Sequence, residues 1–170
     1  MSMVKVMKID EWLEKKSIEK DAIIFKDQNW TFSHLKKLII KTSLFLQNEC
    51  KLKVGDRFCY YGINNPEQIV LLFSASKIGA IMFPINWRLA NPEIEYLIKH
   101  SNPNVIFFDT KFEDKMSQIY IPESIKTITV GNSEINPTSF ETRRLSCNGR
   151  IKRPIKNNLP LLLVYTSGTT

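Results

Sequence analysis

The chain is organised around one stretch, Leu161-Leu162-Leu163-Val164-Tyr165-Thr166-Ser167-Gly168-Thr169-Thr170. It begins with an apolar run of strand length and ends in hydroxyl side chains around one glycine. A buried strand that leads into such a turn can bind phosphate, because Gly168 lets the backbone approach an anion while N–H groups and hydroxyls supply donors. The sequence therefore predicts a strand from residue 159 and, after it, a phosphate-binding loop made of Thr166, Ser167, Gly168, Thr169 and Thr170.

Composition and charge fit one globular domain that has anionic partners. The 170 residues are 43% hydrophobic and 24% charged, and a chain of this length can bury a core of its own. The net charge of +7 is compatible with phosphates, CoA, nucleic acid or a membrane surface as partners, but it fits a merely solvated basic surface better. We do not expect nucleic acid, because the basic segment from Arg143 to Lys156 lacks interleaved aromatic residues and follows no DNA-reading helix motif.

The cysteines and the hydropathy pattern favour a cytoplasmic protein. Cys50, Cys59 and Cys147 are odd in number and have no C-x-x-C spacing, which argues against a disulfide framework and against a zinc site. The start of the chain does not resemble a signal peptide, and no run approaches the roughly 18 apolar residues of a transmembrane helix. His34 and His100 lie at ends of separate predicted helices with no nucleophile arranged around them, so we interpret both as solvated rather than as a catalytic pair.

Strand and helix patterns alternate up to residue 130. Such alternation predicts an α/β fold with a mostly parallel sheet, right-handed crossovers and helices on both faces. From 131 to 158 the pattern dissolves, and we expect an irregular, solvated basic segment there. Helices are expected at Ile9–Lys16, from a cap at Thr31 or Ser33 to about Cys50, from Asn65-Pro66-Glu67 to Gly79, from Asn91-Pro92-Glu93 to His100, and at Lys111–Gln118; a hairpin is expected at Asp21–Trp30, and strands at Arg57–Ile63, Ala80–Ile85, Val105–Phe108 and Ile125–Val130.

A series of short motifs resembles the AMP-forming acyl-CoA synthetases and their adenylating relatives. The segment Tyr165–Thr170 resembles the first half of their phosphate-loop signature, which continues through Gly, any residue, Pro, Lys and Gly. Asn86-Trp87-Arg88-Leu89, followed by Glu93–Ile98, resembles the acyl-CoA ligase branch; the chain lacks the Asp-Pro-x-Tyr-Pro type of stretch found in the peptide-synthetase branch. Further motifs in the family's order are Trp30-Thr31-Phe32-Ser33-His34-Leu35, Val54-Gly55-Asp56-Arg57, Asn64-Asn65-Pro66-Glu67, and Lys77-Ile78-Gly79-Ala80 with Phe83-Pro84-Ile85-Asn86.

The resemblance implies the incomplete N-terminal part of an AMP-binding large domain. The complete enzyme would use ATP, Mg²⁺ and CoA to convert a small carboxylic acid, expected to be a fatty acid, into its acyl-CoA through an acyl-adenylate. Thr166 to Thr170 would hold the β- and γ-phosphates of ATP. Arg88 would contact the phosphates of the CoA nucleotide, although it also fits a surface arginine that caps a turn.

The lysine half of the loop signature is not among these 170 residues. We therefore expect the isolated chain to be inactive, with no complete catalytic set and no metal site of its own. One alternative is a truncated, non-catalytic binding or assembly module that self-associates through exposed sheet. Another is a different adenylate-forming enzyme, either luciferase-like or a peptide-synthetase adenylation domain.

Overall fold

A four-stranded parallel sheet organises the chain. The structure is a computed structural model that describes residues 9–131, 139–154 and 158–165. Its strands are β3 (Arg57–Tyr61), β4 (Ile81–Ile85), β5 (Val105–Asp109) and β6 (Lys126–Val130); a separate antiparallel hairpin consists of β1 (Asp21–Phe25) and β2 (Gln28–Thr31). The strand order in the sheet is β4-β3-β5-β6, and all three pairings are parallel.

Helices cover both faces of this sheet, which confirms the predicted fold class. Side chains alternate along a strand, so neighbouring residues of β3 enter different cores. The helices are α1 (Ile9–Glu14), α2 (Phe32–Asn48), α3 (Pro66–Ile78), α4 (Asn91–Ser101), α5 (Glu113–Ser117, preceded by a 3₁₀ turn at Thr110–Phe112) and α6 (Phe140–Ser146). Phe58 and Tyr60 share one core with α2, α3 and α6, while Cys59 and Tyr61 share the other with α4 and α5.

Local capping signals place two helices where the sequence predicts them. The side chain of Thr31 accepts a hydrogen bond from the backbone of His34 and starts α2. Asn65 caps α3 in the same way, and Gly79 ends that helix with a left-handed φ of 75°. At α4 the sequence signal Asn91-Pro92-Glu93 predicts Asn91 as the N-cap, and this is wrong by one residue: Ala90 is the N-cap, and its backbone N–H donates to the side chain of Glu93 at 2.7 Å.

The basic segment from 131 to 158 is not wholly irregular. It contains α6, whose N-cap Ser139 accepts a hydrogen bond from the backbone of Thr142. Its cations are also not simply solvated, because three of them form ion pairs with acids of other elements. These pairs are Arg143 with Glu49 on the segment after α2, Arg144 with Glu67 in α3, and Arg153 with Asp10 in α1.

The apolar segment near the end of the chain lies beside β4. Leu162 forms a parallel bridge with Met82; Met82 N–H donates to the Leu161 carbonyl, and Leu163 N–H donates to the Met82 carbonyl, both at 2.9 Å. Within residues 158–165 the predicted strand is thus reduced to one bridge. Of the helices in the described ranges, none is long and apolar enough to cross a membrane.

Candidate functional site

The carboxyl ends of β3 and β4 border an open cavity of about 1010 Å³. Parallel strands deliver their following loops to one edge of a sheet, so the loops after β3 and β4 meet there. The β3–α3 loop contributes Gly62 and Asn64, and the β4–α4 loop contributes Trp87 and Arg88. The segment that runs parallel to β4 contributes Tyr165 to the same cavity.

Hydrogen bonds fix the loop that carries Arg88. The side chain of Asn86 accepts from the Arg88 backbone N–H at 3.0 Å, which closes a tight turn. Tyr61 donates its hydroxyl to the Trp87 carbonyl at 3.2 Å, and Lys115 donates to the Leu89 carbonyl at 2.6 Å. Residues from β3 and α5 therefore hold a loop that belongs to neither element.

The guanidinium of Arg88 is available to a ligand. Arg88 is exposed, and its side chain forms no hydrogen bond or ion pair with any residue in the described ranges. Its Cζ lies 4.4 Å from the centroid of the Trp87 ring, so a cation–π contact orients it at the cavity rim. A planar guanidinium held in this way fits phosphate oxygens. The side chain does not cap the turn; the backbone N–H does that.

The predicted phosphate loop, Thr166 to Thr170, lies outside the described residues. The structure does place Tyr165, the residue before it. The Tyr165 ring packs against Phe83 of β4 with centroids 5.0 Å apart, and its hydroxyl forms a hydrogen bond with Nδ1 of His100 in α4. Arg88 and Tyr165, the residue that precedes the predicted phosphate loop, therefore line the same cavity.

The two histidines have different surroundings. His34 makes an edge-to-face contact with Trp30 at 5.1 Å. His100 is exposed, yet it is not simply solvated as the sequence suggested, because Tyr165 bonds to it and Tyr96 stacks on it. The partners are 65 and four residues away along the chain, and no local pattern relates His100 to Tyr165. Only the fold reveals this contact.

Among the residues described, neither an activated thiol nor a cluster of metal ligands is present. Burial raises the pKa of the Cys50 thiol to about 12 and also raises the pKa of Cys59 and of Cys147, so these thiols keep their protons at neutral pH. The described ranges contain no group of three or more His, Cys, Asp or Glu side chains that could hold a metal.

Comparison with known proteins agrees with this arrangement. A family model described as "AMP-binding enzyme" matches residues 9–170. The chain belongs to the AMP-binding enzyme family. The family resemblance inferred from the motifs is confirmed.

Relatives within the family include acid–CoA ligases. The indoleacetate–CoA ligase of Aromatoleum aromaticum is 29% identical over 174 residues, which cover 96% of this chain and 33% of that protein. A long-chain-fatty-acid–CoA ligase of Mycobacterium tuberculosis is 28% identical over 123 residues, which cover 68% of this chain and 23% of that protein. The crystal structure of a benzoate CoA ligase from Burkholderia xenovorans superposes with a TM-score of 0.76 at 14% identity, over 89% of this chain and 31% of that one, which shows the same fold. The chain thus spans about a third or less of the length of these proteins.

Proposed function

We propose that this chain is the N-terminal, phosphate-loop-bearing part of an AMP-forming acid–CoA ligase. The observation that supports the proposal is the shared cavity, which is lined both by Arg88 and by Tyr165, the residue that precedes Thr166. In the proposed reaction a carboxylate oxygen attacks the α-phosphorus of ATP, and pyrophosphate leaves. The thiol of CoA then attacks the acyl carbon, forms the thioester and releases AMP.

In this proposal the protein supplies position and donors rather than a covalent intermediate. The hydroxyls of Thr166, Ser167, Thr169 and Thr170, with the backbone at Gly168, bind the β- and γ-phosphates. Fixed donors around a polyanion lower the barrier because they do not reorganise as charge moves toward pyrophosphate. Arg88 binds the phosphates of the CoA nucleotide, and Mg²⁺ accompanies ATP.

The proposed substrate is a small carboxylic acid, and within that class we propose a fatty acid. The relatives' names support the class and leave its members open, since they include indoleacetate and long-chain fatty acids. We further propose that the 170-residue chain is inactive by itself. The lysine of the loop signature would supply positive charge to the phosphates, and no lysine follows Gly168 within residues 1–170. MgATP binding by this chain at millimolar affinity or better, measured by calorimetry, would contradict that part.

The test compares the 170-residue chain with the protein translated from its complete reading frame. Exchange of labelled pyrophosphate into ATP is measured with fatty acids, indoleacetate, benzoate and amino acids. We expect acid-dependent exchange from the longer protein and none from the short chain. Absence of exchange with every acid, from a longer protein that contains Gly-x-Pro-Lys-Gly, would overturn the proposal. A frame that ends at codon 170 would instead favour the binding-module alternative.

A further inference from the structure

We propose that His100 is a positioning residue, which anchors Tyr165 and thereby sets where the phosphate loop leaves the sheet. Two elements distant in sequence meet in this contact: the last turn of α4 and the segment beside β4. The role in loop placement rests on the proposed function, whereas the anchor itself does not.

The Tyr165 side chain is held from two sides. Its hydroxyl bonds to Nδ1 of His100, and the two rings meet edge to face with centroids 5.5 Å apart. The ring also packs on Phe83 at 5.0 Å. Tyr96 stacks on the imidazole of His100 at 5.8 Å with an interplanar angle of 19°, so the imidazole lies between two tyrosines.

The backbone gives the end of this segment no comparable support. Leu163 N–H donates to Met82, and within residues 158–165 no backbone hydrogen bond follows it. The side chain of Val164 is mostly exposed. The attachment of the last described residue to the domain therefore depends on the Tyr165 side chain, and the next residue of the sequence is Thr166.

The chemistry of the pair suits a fixed anchor. A tyrosine phenol keeps its proton at neutral pH, and burial raises the pKa of Tyr165 further in the same direction. With the imidazole proton on Nε2, the phenol donates to Nδ1. The last turn of α4 is a firm support, because its C-cap Asn102 donates a backbone hydrogen bond to the Ile98 carbonyl at 2.9 Å.

The anchor is tested in the 170-residue chain by hydrogen exchange at the Leu163 amide. Tyr165→Phe removes only the hydroxyl, and we expect Leu163 to exchange roughly threefold to tenfold faster, since one net hydrogen bond is lost. His100→Leu should speed exchange at Leu163 to the same extent, and the double variant with Tyr165→Phe should exchange no faster than either single variant. His100→Asn keeps a polar atom near the Nδ1 position, so its Leu163 amide should exchange as slowly as in the unmutated chain. The matched control is Tyr96→Phe, which removes a hydroxyl from the other tyrosine on the same imidazole and should change nothing. Unchanged exchange in Tyr165→Phe would overturn the anchor.

Loop placement is tested in the longer protein by pyrophosphate exchange. Tyr165→Phe should raise the KM for MgATP roughly threefold to tenfold, with kcat and the KM for the carboxylic acid unchanged, because only phosphate binding depends on where the loop starts. An unchanged KM for MgATP would refute the link to the loop. If the unmutated longer protein shows no exchange at all, the proposed function fails, and the Leu163 amide still decides the anchor.

Discussion

Arg88 and Arg144 carry the same side chain in opposite surroundings. Arg88 is exposed at the rim of the cavity, and no side-chain hydrogen bond or ion pair to it occurs within the described ranges. Arg144 is only 3% exposed, forms a two-pronged ion pair with Glu67, and lies 3.4 Å from the hydroxyl of Thr42. The second joins α6 to α2 and α3, whereas ligand binding by the first is our proposal.

Replacing Arg88 with alanine should weaken CoA binding. In the longer protein, Arg88→Ala is expected to raise the KM for CoA roughly tenfold, as for the loss of a hydrogen bond to a charged group, and to leave acid-dependent pyrophosphate exchange unchanged. The control is Arg150→Ala, which removes another exposed arginine outside the cavity. An unchanged KM for CoA in Arg88→Ala would remove Arg88 from the site.

Replacing Arg144 should destabilise the fold far more than replacing its neighbour. Arg144→Ala leaves Glu67 as a largely buried, unpaired charge, so we expect the free energy of unfolding in urea to fall by about 3–5 kcal/mol. Arg143→Ala breaks a more exposed pair with Glu49 and should cost about 0–1 kcal/mol. If the free energy of unfolding falls equally in the two variants, burial of the Arg144–Glu67 pair does not increase its contribution to stability.

At the scale of elements, the sequence predicts best where the signal is local. Asn65, Pro66 and Gly79 define α3 because their effects operate within one turn of the helix. The start of α4 shifts by one residue because Glu93 bonds back to the Ala90 backbone, so Asn91 is already helical.

Long-range contacts explain what the sequence does not predict. Helix α6 is short and flanked by polar residues; Phe140 secures it by edge-to-face contacts with Phe45 and Phe107, at 5.2 and 5.3 Å. Arg144 pairs with a residue 77 positions away. The contact of His100 with Tyr165 belongs to the same class, while the convergence of Arg88 and Tyr165 on one cavity follows from the parallel order of the strands.

The end of α3 should control how the segment beside β4 docks. A Cβ on Gly79 would lie 3.0 Å from side-chain atoms of both Leu159 and Pro154. Gly79→Ala combines this overlap with left-handed backbone strain, and we expect a loss of about 2–4 kcal/mol in unfolding free energy together with faster exchange at the Leu163 amide. Gly55→Ala is the matched control: its φ is +86°, but a Cβ there meets nothing within 4 Å, so about 1–2 kcal/mol should be lost without a change at Leu163. The docking role is wrong if both variants leave Leu163 exchange as it was.

Exposed apolar side chains lie at and near the open cavity. Because such side chains favour contacts between molecules, we predict that the 170-residue chain self-associates. Tyr96 and Val164 line the cavity and are 62% and 58% exposed, and Leu162, which lies outside the lining, is 46% exposed. Sedimentation velocity should show concentration-dependent association, which Val164→Lys weakens because it places a charge in the contact. Val54→Lys alters a similarly exposed valine in the turn before Gly55 and should have no effect. A compact monomer at high concentration would contradict the prediction.

The proposed function depends most directly on the place of Tyr165 at the carboxyl end of β4. The most direct measurement is a nuclear Overhauser spectrum of the 170-residue chain with its aromatic rings assigned. Cross-peaks are predicted from the Tyr165 ring to the ring of Phe83 and to the imidazole of His100, whose centroids lie 5.0 and 5.5 Å away. Absence of both cross-peaks, with the contacts between Met82 and Leu162 intact, would contradict this placement and remove the shared cavity on which the ligase proposal stands.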